Sequence, residues 1–397
     1  MQMLKANESA AIRAQFPVFR EKIYLGTCSQ GALCDVVAAS LQEHIACWNK
    51  HGLPWDYWIE KYEAMRRGFA AFIGAKPEEV ALTSSVSAGI NAIASAMDYS
   101  DRNKVVMGEF EFPTMGHAWL AQERRGAQVE FLRPAGGRIP LEAYERAIDR
   151  KTRIVPVTSV CFMNGSRSQI CQIREIVHQN GAFVMVDDYQ DAGTRPINVK
   201  QLGVDFYVTG ALKYLLGSSG LAFLYVREEL IEKLVPTQSS WIAQADAFAY
   251  RLHPLDWATS ARRFEVGTPP IQNIYALLPV VSLLQQTGLD RIATHVAELT
   301  RAFMEAASVL EIEIKTPADS VGPLVVLKCK DIPAILAKLE EQHITASSRF
   351  DGLRIAFHLY NNMDDVRAVL QVLEANLELM ARSTAMGNHR RIASSCR

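Results

Sequence analysis

Between Glu79 and Val226, short apolar runs rich in β-branched residues alternate with stretches whose apolar positions recur at the spacing of one helix face. The runs are Val80–Thr83, Lys104–Met107, Val129–Leu132, Ile154–Val157 and Ala182–Val186, and between them the spacing predicts helices over 87–98, 116–125, near 141–149 and over 169–179. Strands that alternate with helices in this way predict βαβ units and a mainly parallel sheet covered by helices on both faces. Two more apolar strands, Asp205–Thr209 and Leu221–Val226, precede an irregular stretch from Pro236 to Pro270. Two long helical patterns follow, over 272–287 and 290–311. A smaller set comes last: a strand over Leu324–Leu327, a helix over 332–342, a strand over Leu353–Phe357 and a helix over 363–380. The fold class is therefore α/β, with an amino-terminal segment over 1–30, a large domain over 31–271 and a smaller α+β domain over 272–382 packed with the amino-terminal helices. Residues 383–397 are polar, basic and unpatterned, which reads as a disordered tail.

Composition narrows the partners. The 397 residues carry 42 Lys plus Arg against 43 Asp plus Glu, so no bulk charge draws nucleic acid or an anionic membrane. No apolar run approaches the roughly 20 residues that span a bilayer. The segment Met1–Phe16 reads as a short helix and not a secretion signal, because Lys5, Glu8 and Arg13 interrupt it. Seven scattered cysteines form neither a C-x-x-C pair nor a cluster at zinc spacing, which predicts reduced thiols, no metal and a cytoplasmic address. A small neutral or zwitterionic partner fits best.

Two segments carry candidate chemistry. Lys213 lies in Thr209-Gly210-Ala211-Leu212-Lys213-Tyr214-Leu215-Leu216-Gly217, after an apolar strand and between apolar neighbours. A lysine desolvated there has a lowered pKa and serves as an amine nucleophile that forms Schiff bases; the alternative is a lysine snorkelling from a strand end. Asp187 ends the apolar strand Ala182–Val186 and is followed by Asp188-Tyr189-Gln190. A carboxylate at the carboxyl end of a parallel strand stands where ligands bind and can pair with a protonated ring nitrogen; the alternative is a cap or turn carboxylate.

Together these segments resemble the pyridoxal-phosphate enzymes of aminotransferase class V, the fold-type I branch that holds cysteine desulfurases, kynureninase and isopenicillin N epimerase-like proteins. The resemblance runs from about Tyr24 to about Leu379 and implies a mainly parallel sheet of the seven-stranded type. Val186-Asp187-Asp188-Tyr189-Gln190 is similar to the family's Val-Asp-Gly-Ala-Gln, which assigns Asp187 to the pyridine nitrogen and Gln190 to the phenolic oxygen, with Asp188 and Tyr189 replacing a smaller pair. Leu212-Lys213-Tyr214-Leu215-Leu216-Gly217 resembles the segment around the Schiff-base lysine, with Leu212 where many members carry His or Tyr and Thr209 as a further cofactor contact. Arg354-Ile355-Ala356-Phe357-His358-Leu359-Tyr360-Asn361-Asn362 resembles the segment whose Arg grips the substrate α-carboxylate, a task suited to a planar fork.

Weaker correspondences complete the resemblance. Thr83–Asn91 lies between a strand and a helix; it implies phosphate contacts from the Val86 backbone and the Ser87 hydroxyl at a helix N-terminus. Phe112, in Glu111-Phe112-Pro113-Thr114, is placed over the pyridine ring. Ser159 is placed beside the cofactor or substrate, and Ser29, in Leu25–Gly31, enters the substrate pocket. Phe264-Glu265-Val266-Gly267-Thr268-Pro269 matches the segment whose threonine reaches the phosphate of the neighbouring subunit, which implies a homodimer with shared active sites.

The resemblance implies action on an α-amino acid, with Asp187 keeping the ring nitrogen protonated and freed Lys213 abstracting the Cα proton. Residues 341–350 hold no cysteine, which argues against persulfide-forming desulfuration. The pattern around Arg354 favours a lyase that eliminates or cleaves the side chain, with C–S lysis as one version. Transamination is the alternative, and epimerisation the third. From another class, a nucleotide- or partner-binding α/β protein without this chemistry stays open, although neither G-x-G-x-x-G nor G-x-x-x-x-G-K-[ST] follows a strand.

Overall fold

The structure is a computed structural model that describes Leu4 and residues 6–383. Its strands in chain order are β1 (Ile23–Tyr24), β2 (Val80–Thr83), β3 (Lys104–Gly108), β4 (Gln128–Leu132), β5 (Thr152–Thr158), β6 (Phe183–Asp187), β7 (Phe206–Gly210) and β8 (Ala222–Val226), then β9 (Leu324–Lys328), β10 (Ile344–Thr345), β11 (Ser347–Arg349) and β12 (Gly352–Ala356). β2 to β8 form one seven-stranded sheet in the order β2-β8-β7-β6-β5-β3-β4. The pairs β4-β3, β3-β5, β5-β6 and β6-β7 are parallel, whereas β8 runs antiparallel to β7 and to β2. Every residue of β2, β7 and β8 is buried, as expected of strands covered on both faces. The carboxyl ends of β2, β3, β5, β6 and β7 all emerge on one edge of this sheet, where open α/β sheets bind their ligands.

The carboxy-terminal strands form a second sheet in the order β11-β12-β9, and β10 pairs in parallel with β1. This pairing sets Ile23 opposite Ile344, and the Ala356 N–H donates to the Leu25 carbonyl at 3.0 Å. Residues 25–29 are thereby drawn against β11 and β12. Glu265, in the irregular segment, is buried among three donors: the Tyr62 hydroxyl, the Arg66 guanidinium and the Leu82 N–H, the last at 2.9 Å. The irregular segment is thus tied to β2 by a hydrogen bond and to the helix Trp55–Ile73 by an ion pair, which would leave an uncompensated charge if either partner were removed.

Two helices differ from expectation. The one expected over 116–125 is Pro113–Leu120, because Pro113 starts it at the position where a missing N–H costs nothing. The one expected over 363–380 ends at Glu374; a short 3-10 turn follows, and the chain doubles back to pair Met380 with Cys329 and bury it. The amino-terminal helix covers Ala6–Arg13. The tail expected from Ser383 falls, beyond that residue, outside the described residues. Among the described residues no helix is long and apolar enough to cross a membrane, and no group of His, Cys, Asp or Glu side chains could hold a metal ion.

Candidate active site

A cavity of about 320 Å³ opens at the carboxyl ends of the strands. Lys213, three residues beyond β7, projects into it and is buried, and burial pushes its amine down to about 8 against the pull of Asp187 and Cys28. Its Nζ lies 4.1 Å from the centroid of the Tyr189 ring and 5.8 Å from that of Phe112. Asp187 closes β6 and is buried; its Oδ1 accepts the Tyr189 N–H at 3.0 Å. Burial raises the Asp187 carboxyl, opposed by that N–H and by Lys213. The Gln190 amide donates to the Cys28 carbonyl at 3.2 Å, while its Oε1 is buried with no protein partner.

The loop after β2 supplies the opposite wall. Ser85 caps the helix Val86–Ala96, its Oγ accepting the Ala88 N–H at 3.1 Å. Val86 and Ser87 open the first turn, where backbone N–H groups have no partner within the helix and favour an anion. The Ser87 hydroxyl also reaches Thr114 at 3.2 Å, and Phe112 packs edge-on against Phe162 at the cavity wall. Six of the residues singled out from the sequence therefore line one space: Val86, Ser87, Phe112, Asp187, Gln190 and Lys213.

Ser159, Thr209 and Thr268 do not line it. Ser159 is buried and donates to the Asp188 carboxylate; Thr209 donates to the Asp188 carbonyl at 3.4 Å. The reason is Asp188 itself: a carboxyl buried without hydrogen bonds is costly, so it gathers Ser159 and, at 2.7 Å, the Tyr207 hydroxyl. Burial and the neighbouring Asp191 still push Asp188 up to about 6. Thr268 is exposed on the loop beyond Phe264.

Arg354 stands next to the cavity, on β12. It is 1% exposed, and its guanidinium donates to the Ser29 hydroxyl at 2.6 Å and to the Phe162 carbonyl at 3.4 Å. Its Nε has no partner, and among the described residues no carboxylate lies within ion-pair distance of it. A buried guanidinium without a counter-charge is costly unless an anion joins it. The thiol of Cys28 lies 3.4 Å from the Ser347 hydroxyl, and the buried Tyr214 hydroxyl has no partner. Sequence reasoning gave Cys28 no role of its own and noted Tyr189 for its bulk alone. The docking of residues 25–29 beside β11 depends on a two-residue strand that carries no pattern.

The Aminotransferase class-V family model matches residues 54–369. A Bacillus subtilis (strain 168) protein named an uncharacterized aminotransferase, YcbU, is 33% identical over 366 residues, covering 91% of this chain and 96% of its own. A probable cysteine desulfurase of Halalkalibacterium halodurans is 28% identical over 339 residues, covering 80% and 82%. Among solved structures, the apo cysteine desulfurase of Thermococcus onnurineus NA1 superposes with a TM-score of 0.85 at 24% identity, over 95% of this chain and 99% of that one. A C-DES variant with glycine covalently linked to its pyridoxal-phosphate cofactor gives 0.84 at 21% identity, over 91% and 98%.

Proposed function

Since this chain belongs to the aminotransferase class-V family, whose members are pyridoxal-phosphate enzymes, we propose that it acts in the cytoplasm as a lyase on an α-amino acid, by elimination or cleavage at the side chain. The observation that carries an amino-acid substrate is Arg354, a buried guanidinium with no carboxylate partner beside the desolvated amine of Lys213. The residues present fit the cofactor. The orphaned Oε1 of Gln190 awaits a donor, Asp187 matches a protonated ring nitrogen, and the Val86–Ser87 helix start suits a phosphate. When bound, the cofactor supplies an electron sink for the bonds at Cα.

The protein's own groups do the rest. Lys213, held near neutrality, anchors covalently and, once displaced by the substrate amine, accepts the Cα proton. Arg354 and Ser29 fix the substrate carboxylate, which restricts the bond presented to Lys213. In elimination the substituent on Cβ then departs. In transamination the amino group is retained and a second keto acid must enter to remove it. The name of the 33% identical relative favours this second reading, and the motif around Arg354 supports the first.

Products separate the two. With a panel of amino acids that includes cysteine, its S-conjugates, kynurenine and alanine, we expect either keto acid and ammonia in equal amounts, from elimination, or a shorter amino acid without ammonia, from side-chain cleavage, and in neither case a need for a second keto acid. A strict requirement for one would overturn the lyase reading. Because 341–350 lacks a cysteine, no persulfide is expected on the protein; one found on Cys28, which lies against Ser347, would move the reaction to sulfur transfer.

We also propose a homodimer whose partner presents Thr268 to the site. Leu33, Trp48 and Leu53 expose apolar surface, as do Tyr250, Leu252 and Leu255 in the irregular segment that leads to Thr268. Light scattering should give about twice the 44.2 kDa of one chain. A monomer with full activity would remove the shared site.

A further inference from the structure

Tyr189 occupies a place that no established role explains. Its backbone N–H is committed to Asp187 at 3.0 Å, which fixes where its side chain begins. Its ring then lies over Gly210: a Cβ added there would fall 2.4 Å from Tyr189 Cζ and 2.7 Å from its hydroxyl oxygen. Gly210 is not among the glycines with positive φ, so this position needs a glycine for space, not for backbone freedom. Seated this way, the ring centroid is 4.1 Å from Lys213 Nζ, nearer than that of Phe112 at 5.8 Å.

We propose that Tyr189, in the notch left by Gly210, is the positioning residue for Lys213: its ring face holds the lysine's ammonium form in the cavity by a cation–π contact. An aromatic face favours the charged amine and so opposes the desolvation that lowers its pKa. The ring thereby tunes how readily Lys213 carries a proton and keeps the amine beside Asp187. Its role as an aid to proton transfer rests on the function proposed above; the contact itself does not.

The test uses the apoprotein. Labelling with an amine-selective acylating reagent from neutral to alkaline pH, with the Lys213 peptide followed by mass spectrometry, yields the pKa of that amine. Tyr189→Leu keeps an apolar side chain at this place but removes the aromatic face, and should lower the pKa by roughly one unit. Tyr189→Phe keeps the face and should stay near the wild-type value. Gly210→Ala, which pushes the ring aside, should behave as Tyr189→Leu does. If it fails to fold, the comparison of Leu with Phe still decides. An unchanged pKa in Tyr189→Leu, or equal shifts in Leu and Phe, would overturn the proposal. Adding pyridoxal phosphate to the wild type separates the two readings: no uptake would defeat the cofactor reading and leave the Lys213 comparison intact.

Discussion

Lys213→Ala is expected to lower turnover by roughly four orders of magnitude or more and to abolish the near-visible absorbance of covalently bound cofactor. On the proposed mechanism two functions would leave together: the nucleophile that anchors and the base that takes the Cα proton, each worth several powers of ten. The fold should survive, because among the described residues the lysine forms no ion pair at salt-bridge distance, and its loss leaves a small space in an open cavity. The pH dependence adds a signature that a structural lysine would not show. Burial lowers this amine to about 8, so the neutral, reactive form grows as pH rises through that value. Covalent uptake of pyridoxal phosphate by the apoprotein should therefore speed up through pH about 8 and level off above it, with an inflection well below that of an ordinary lysine. Rate measurements with the aldehyde in excess check this. An inflection near the ordinary value, or a variant with native turnover, would remove Lys213 from the chemistry.

The sheet was legible because its strands are buried on both faces and read as unbroken apolar runs, and because each helix between them repeats at its own period. Asp187 and Lys213 were legible for a related reason. A charged residue that abruptly ends an apolar strand, or sits between apolar neighbours, has a structural alternative as a cap or a snorkelling lysine, and it was the two segments together, matching one family's motifs, that marked these two. Side-chain direction was not legible in the same way. Ser159 immediately follows Thr158 at the end of β5, yet Thr158 lines the cavity and Ser159 turns to Asp188. A choice of that kind depends on which buried carboxyl needs donors, and Asp188 is supplied by another strand. Nor could pattern show that β1 pairs with β10 across more than three hundred residues. That pairing of two-residue strands carries Ser29 to Arg354 and Cys28 to Ser347.

Arg354 offers the second large effect, and there function and stability should move in opposite directions. Its guanidinium is 1% exposed, holds a serine hydroxyl and a carbonyl, and meets no carboxylate among the described residues. Replacing a buried charge of that kind by an apolar side chain of similar length removes a desolvation cost. Arg354→Met should therefore leave the apoprotein as stable as the wild type, or more stable by about 1 kcal/mol or more, as read from its denaturation midpoint. Catalysis should suffer. A bidentate pair with the substrate carboxylate is charge-assisted and desolvated, and its loss should lower kcat/KM by roughly a hundredfold, most of it in KM. A substrate amine without a carboxylate should be affected far less, so the ratio between the two substrates reports the contact directly. A residue kept for structure would give the reverse: a clear fall in stability with KM unchanged. A gap between a costly site when empty and a paired one when filled would make an arginine here selective for an anion, and the two measurements together test both sides of it.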